Sequence, residues 1–224
     1  MPQADFTLLF DLDGTLANTD ALHFRAFRAL LAEHGRELDH DSYLLHVHGS
    51  SNEAIMRALL PHLPERHREL AERKEALFRA TLGQVEATPG APRLFDWAQF
   101  RGAAIAVVTN APRANAELML ERLGLASLVD ALVIGDELAY GKPHPLPYLA
   151  GLARLGGDAA RACAFEDSPS GIRSAKQAGL HTFALAGTLP PAALFEAGAD
   201  SAIPDFNAPE LWRWLEHACE RRPA

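Results

Sequence analysis

The chain reads as an α/β protein with a doubly wound parallel sheet and an inserted helical domain. Three observations predict this. Short, continuous apolar runs recur at "TLLF" (7–10), "AAIAVVT" (103–109), "ALVI" (131–134), "ACAF" (162–165), "TFALA" (182–186) and, more weakly, "SAI" (201–203). Such runs suit strands covered on both faces, where strict alternation is not required. From the second run onward, helical patterns separate them, the order that builds a parallel sheet with helices on both sides. Between the first and second runs lie roughly 65 to 70 residues of helical pattern alone, against the dozen or so that a crossover needs. That block is expected to be a domain of its own.

The elements follow in order. The first apolar run ends in Asp11 and Asp13. A helix is expected from about Asp20 to His34, with Phe24, Phe27 and Leu31 on one face and Gly35 at its end. "SNEAIMRALLPHL" and "PERHRELAERKEALFRATL" continue the helical block. Hinges are expected at Ala17–Asp20 and at "EATPG", Glu86 to Gly90. The core is then 1–17 with 87–224, and the insert 18–86. After the second strand, Ala116, Met119, Leu120 and Leu123 recur at helical spacing, and Gly124 stands where a C-terminal glycine belongs. In "PSGIRSAKQAG", Pro169 comes early and Gly179 late, the usual helix asymmetry. The last helix, "PELWRWLEHACERR", places Leu211, Leu215 and Cys219 on one face, with Trp212, Trp214 and Met119 expected to pack.

Composition narrows the function. The 224 residues carry a formal charge of -8, which opposes non-specific binding to nucleic acid. No apolar stretch approaches the roughly 20 residues that span a bilayer, and no charged segment leads into a signal-peptide core. A cytoplasmic monomer without nucleic-acid or membrane partners is expected. Cys163 and Cys219 are too few for a disulfide framework and read as small reduced hydrophobes. Seven of the ten histidines fall between His23 and His67, and "HVH" (46–48) has a spacing seen in some metal sites. No cysteine or acid lies at matching short spacing, so polar loop residues are expected there rather than zinc ligands.

The chemistry gathers at strand ends. In an open parallel sheet, ligands bind beyond the C-terminal ends of the strands. There this sequence places Asp11, Asp13 and Thr15; Thr109 and Asn110; Lys142 in "YGKPHP"; and Glu166, Asp167 and Ser168. Each has an ordinary reading alone, as a turn residue, a cap or a solvated charge. Together, several carboxylates at one rim demand a hard cation, and oxygen-only ligands favour Mg²⁺. The lysine and hydroxyl suit phosphate oxygens. Asp11 and Asp13, about 6.5 Å apart if extended, would point the same way. One could reach an electrophile while the other reaches its leaving group.

"FDLDGT", "VVTN", "GKP" and "FEDSPSG", in that order, resemble the four motifs of the haloacid dehalogenase superfamily of phosphotransferases. The likeness covers the whole core, which would be Rossmann-like, and the insert resembles the alpha-helical cap of subfamily I. The resemblance implies a Mg²⁺-dependent phosphatase that acts on a small phosphorylated metabolite through an aspartyl-phosphate on Asp11. Asp13 would protonate the leaving alkoxide and then deprotonate the attacking water. The metal would be held by Asp11, the Asp13 carbonyl and Asp167, with Glu166 assisting. Thr109, the Asn110 backbone and Lys142 would hold the phosphoryl oxygens, while Gly14 and Thr15 shape the loop after the nucleophile.

"DLDGTLANTDALHFRAF" also resembles β-phosphoglucomutase, a sugar-phosphate mutase, in which a histidine placed like His23 lies near substrate. A mutase needs a second phosphate site, usually an arginine on the cap loop. In "HGSSNEA", which includes Ser51, this chain has Asn52 where mutases carry arginine and His48 where they carry lysine. That departure favours a phosphatase, with Arg113 the residue that would restore part of the charge for a mutase. A phospho-accepting binding module is a more distant alternative, since such domains have no reason to carry a cap. Dehalogenase relatives lack the second aspartate of the first motif, and a phosphonate hydrolase would need a cap lysine near the hinge. Sugar phosphates, smaller polyol phosphates and phosphoglycolate all fit the motifs.

Overall fold

The computed structural model describes residues 6–47 and 52–220. Two compact units emerge: Met1–Asn18 with Glu86–Ala224, and Thr19–Val85. The first holds a six-stranded, wholly parallel sheet in the order β3-β2-β1-β4-β5-β6. Its strands are β1 (Thr7–Phe10), β2 (Ala104–Thr109), β3 (Ala131–Ile134), β4 (Ala162–Glu166), β5 (His181–Leu185) and β6 (Ser201–Ile203). These match the six apolar runs to within a residue at each end. The order reverses direction between β1 and β4, the switch point at which doubly wound sheets open a crevice.

Helices α5 (Ala91–Arg101), α6 (Arg113–Arg122), α7 (Leu146–Leu155), α8 (Pro169–Gln177), α9 (Pro191–Glu196) and α10 (Pro209–Glu220) belong to this unit. On one face Leu9, Ala106, Val108 and Ala164 pack with Tyr148 and Leu152 of α7 and Ala175 of α8. Elsewhere in the core the rings of Phe10 and Phe165 stack at 4.7 Å, with Phe95 of α5 5.0 Å from Phe10. Burying each such ring removes a large apolar area from water, worth about 2 to 3 kcal/mol per side chain. Polar alternation is absent from the central strands because neither face meets solvent. Gly124 follows α6 with φ +70°, as its position in sequence predicts. Cys163 is wholly buried in β4; the side chain of Cys219 lies outside those described.

Among the described residues, the regular elements of the second unit are helices: α1 (Asp20–Ala32), α2 (His40–His46), α3 (Asn52–Leu59) and α4 (His67–Arg79). Phe27, Leu30 and Leu31 of α1 meet Tyr43, Ile55, Met56, Leu59 and Leu70 in a core of their own. Helix α2 begins where Asp39 accepts a hydrogen bond from the Ser42 N–H at 2.7 Å, an N-cap contact. Its last residue is His46, the first histidine of "HVH"; His48 falls outside the described residues. No described helix is long and apolar enough to cross a membrane.

Candidate active site

Register alone brings the first carboxylates together. Phe10 pairs with Val107 on one side and Phe165 on the other. Asp11 and Glu166, each the next residue along, therefore emerge side by side at the switch point, with Thr109 at the end of the neighbouring strand. The Asp11 N–H continues the ladder to the Phe165 carbonyl at 2.9 Å.

Lys142 ties the group. Its ammonium donates to Asp11 Oδ1 at 2.6 Å, to Glu166 Oε1 at 2.5 Å and to the Val108 carbonyl at 2.7 Å. The loop that carries it is locked by the side chain of Asn110. The Lys142 N–H donates to Asn110 Oδ1 at 3.2 Å, and Asn110 Nδ2 donates back to the Lys142 carbonyl at 3.4 Å. That amide fits only because residues 135 and 141 are glycines: a Cβ on Gly135 would overlap Asn110 Oδ1, and one on Gly141 would press it at 3.0 Å.

Glu166 is fully buried and saturated with donors. Besides Lys142, its Oε1 accepts from the Tyr148 hydroxyl at 2.8 Å, and its Oε2 accepts from the Asp167 N–H and the Ser168 hydroxyl at 3.2 and 3.1 Å. Ser168 also caps α8 by accepting from the Gly171 N–H at 3.0 Å. Gly171 leaves the room Glu166 fills, since a Cβ there would overlap its carboxylate. Tyr148 was not legible from sequence; it sits at an apolar position of α7, and only tertiary packing reveals its hydroxyl as a partner. Its phenol is raised well above the usual value, by burial first and then by the charge of Glu166.

Oxygens of Asp11, Glu166 and Asp167 lie within 4.8 Å of one another, a group able to hold a metal ion. Burial pushes Asp11 up to about 8 against the opposing charge of Lys142, with Glu166 and Asp13 adding to the rise. Burial alone would pull Lys142 down, but the charges of Asp11 and Glu166 more than offset it and hold the ammonium protonated. Three carboxylates against one ammonium leave the rim short of positive charge, and an all-oxygen donor set selects a hard divalent cation. The residues present fit such an ion. Gly14 (φ +82°) brings the loop after Asp13 against Asp167, whose carboxylate fills the place a Cβ would take.

The other expected residues are placed as follows. Asp13 is half-buried, its carboxylate outside the trio, and its backbone bridges Ala17. Thr109 is buried and its Oγ1 accepts from the Ala111 N–H at 3.0 Å, which leaves its hydroxyl hydrogen to donate elsewhere. Thr15 is buried with an unpartnered hydroxyl, while its carbonyl accepts from Thr88 Oγ1 at 2.7 Å. Arg113 is gripped by Glu137 at 2.7 Å through both Nε and Nη2, and by Glu117 at 3.1 Å, so its charge is spent locally. In the helical unit, His23 meets Lys74 and Asn52 meets Glu75. Ser51, like His48, lies outside the described residues.

Comparison with known proteins decides the family. The model for haloacid dehalogenase-like hydrolases matches residues 8–185, from the first strand to the fifth. The chain belongs to that family. Among haloacid dehalogenase-like hydrolases, it is 31% identical to a phosphorylated carbohydrates phosphatase of Thermotoga maritima, over 88% of this chain and 93% of the relative. It is 35% identical to validoxylamine A 7'-phosphate phosphatase of Streptomyces hygroscopicus subsp. limoneus, over 84% and 89%. A crystal structure of a CbbY variant from Rhodobacter sphaeroides in complex with xylulose-(1,5)bisphosphate superposes with a TM-score of 0.81 at 30% identity, over 89% of this chain and 94% of that one. Named relatives of this hydrolase are thus phosphatases.

Proposed function

We propose that this chain is a Mg²⁺-dependent phosphatase of small phosphorylated metabolites, with Asp11 as nucleophile. The observation that carries the reading is the rim at the β1–β4 switch point, where Asp11 and Glu166 share the Lys142 ammonium and gather with Asp167 into one carboxylate group. The relatives named as phosphatases support the same class.

Asp11, Asp167 and the Asp13 carbonyl would hold Mg²⁺, which when bound offsets the negative charge of the carboxylates and of the transferring phosphoryl group. An Asp11 oxygen attacks phosphorus as the bond to the leaving alkoxide breaks, and Asp13 gives that alkoxide its proton. Asp13, now basic, takes a proton from water; the water oxygen attacks the aspartyl-phosphate, and inorganic phosphate leaves with Asp11 restored. Lys142 and the Thr109 hydroxyl steady the phosphoryl oxygens through both steps. Glu166 orients Lys142 rather than touching substrate, because its own oxygens are taken by Tyr148, Ser168 and the backbone.

Residues 18–86 are assigned as a cap that selects the substrate and excludes water. We read the protein as a cytoplasmic monomer acting on a soluble metabolite, with no nucleic-acid or membrane partner. A mutase would need a spare cationic group for a second phosphate. Arg113 is held by two glutamates, which favours hydrolysis.

The test is Asp11→Asn. Mg²⁺-dependent hydrolysis of an aryl phosphate should fall by about 10⁴-fold, with circular dichroism unchanged. Activity within tenfold of the parent, roughly a barrier change of only 1.4 kcal/mol, would sink the assignment.

A further inference from the structure

The carboxylate rim has a phenol behind it. Tyr148 stands in the first turn of α7, wholly buried among Leu9, Val108 and Leu152. These apolar neighbours call for a ring and nothing more, and a buried hydroxyl is unfavourable unless it finds a partner. The partner is Glu166 Oε1, 2.8 Å away, an oxygen that already accepts from the Lys142 ammonium. The same ammonium stands 5.1 Å from the centre of the Tyr148 ring. Lysine and tyrosine, carried by one loop-and-helix segment, thus converge on a single carboxylate oxygen.

The hydrogens of the ammonium show what the second donor is for. A lysine ammonium has three N–H bonds to give. Those of Lys142 go to Asp11 Oδ1, Glu166 Oε1 and the Val108 carbonyl, so none is left over for a phosphoryl oxygen. To reach one, Lys142 must give up an acceptor. Among the described residues, neither Asp11 Oδ1 nor the Val108 carbonyl has a second side-chain donor. Glu166 is different. With Lys142 turned away, its Oε1 keeps the Tyr148 hydroxyl, and its Oε2 keeps the Asp167 N–H and the Ser168 hydroxyl. A buried carboxylate oxygen stripped of every donor is strongly disfavoured, and the phenol prevents that at this one acceptor. On the phosphatase reading above, we propose that Tyr148 is a positioning residue: its hydroxyl holds Glu166 Oε1 so that Lys142 can turn one N–H from Glu166 to the transferring phosphoryl group. Tyr148 acts through Lys142 and touches no substrate atom.

The experiment measures kcat for an aryl phosphate and the inhibition constant of inorganic phosphate. Tyr148→Phe keeps the ring and removes the donor. Its kcat should fall about tenfold and its inhibition constant for phosphate should rise about tenfold, with circular dichroism unchanged. A merely structural role would lower the active fraction, and so kcat, while leaving the phosphate constant where it was; that result overturns the proposal. In the Lys142→Met background, Tyr148→Phe should lower kcat by less than about threefold further, because the group it serves is gone. A second full loss there overturns the proposal as well. Tyr148→para-aminophenylalanine keeps the ring and restores an N–H donor. It should bring both constants to within about threefold of the parent, and it stands as the test if the phenylalanine variant fails to fold. A folded variant of this kind with weakened phosphate affinity overturns the proposal. Aryl phosphate hydrolysis by the parent separates the two layers. Its absence overturns the phosphatase reading and this inference with it, whereas its presence with an unmoved phosphate constant in Tyr148→Phe overturns the inference alone.

Discussion

Lys142 and Lys74 have side chains only 3% exposed, and both donate to buried carboxylates. The surroundings differ in two respects. Lys142 hangs from a loop beyond parallel strands, faces more carboxylates than it can neutralise, and is steadied by Asn110 and the Val108 carbonyl. Lys74 rises from the middle of a helix, is matched one to one by its sequence neighbour, and rests on aromatic rings. The first arrangement is unbalanced and can hold a cation. The second is balanced and calls for none.

Removing the ammonium from the unbalanced cluster should have the largest effect. Lys142→Met leaves Asp11 and Glu166 buried without their cationic partner. Aryl phosphate hydrolysis should fall by about 10² to 10³-fold, and urea denaturation should show a loss of about 3 kcal/mol. Activity within threefold of the parent, roughly 0.7 kcal/mol of barrier, would mean that the ammonium does not act on the phosphoryl group. In the balanced cluster, Lys74→Met should also destabilise by about 3 kcal/mol, but Lys74→Met with Glu75→Leu should recover to within about 1 kcal/mol of the parent. A double variant as unstable as the single one would make the pair a requirement of the bundle, and the contrast between the clusters would collapse.

A third pair sets the low end of the scale. Lys176 and Asp200 are each about a third exposed and 2.7 Å apart. Burial pushes the Asp200 carboxyl up, but hydrogen bonds from Lys176 and the Thr182 N–H outweigh it and bring it below its ordinary value. A carboxylate depressed on folding adds stability above its unfolded pKa and loses it as pH falls through the folded one. Asp200→Asn should therefore lower stability at neutral pH, by less than about 1 kcal/mol, and should converge with the parent once acid has protonated the folded carboxyl. Denaturation curves at several pH values check this; a gap that persists in acid would assign the effect to packing instead of charge.

The sheet and its rim were legible because both depend on local patterns. Each strand buried on two faces appears as an unbroken apolar run, and register then places Asp11 beside Glu166 without further instruction. What escaped the sequence depends on distant partners. Asn110 was expected to serve through its backbone, yet its side chain fastens the Lys142 loop between two glycines. Tyr148 looks like any apolar-face residue until α7 is laid on the sheet. Lys74 and Glu75 belong to "ERKEALFR", a stretch so charged that it reads as a solvated helix face, and only packing against α1 and α3 buries them. Arg113 was legible as a cation, but not as one already held by Glu137 and Glu117.

The way the chain leaves and rejoins the core carries a last consequence. Ala17 bridges Ala87 antiparallel, the Thr88 N–H donates to the Leu16 carbonyl at 2.8 Å, and the Gly14 N–H donates to Ala17 at 2.8 Å. Departure and return are therefore hydrogen-bonded neighbours, a two-stranded stem rooted in the loop that follows Asp11. Whatever the stem encloses, from a tight turn to a whole bundle, closes the same gap, and the entropy of closure grows only slowly with length. The helical unit is in that sense a cassette. A lineage could lengthen, trade or discard it while the stem kept the loop after Asp11 in place, which makes the insert the easier part to rewrite and the loop the harder.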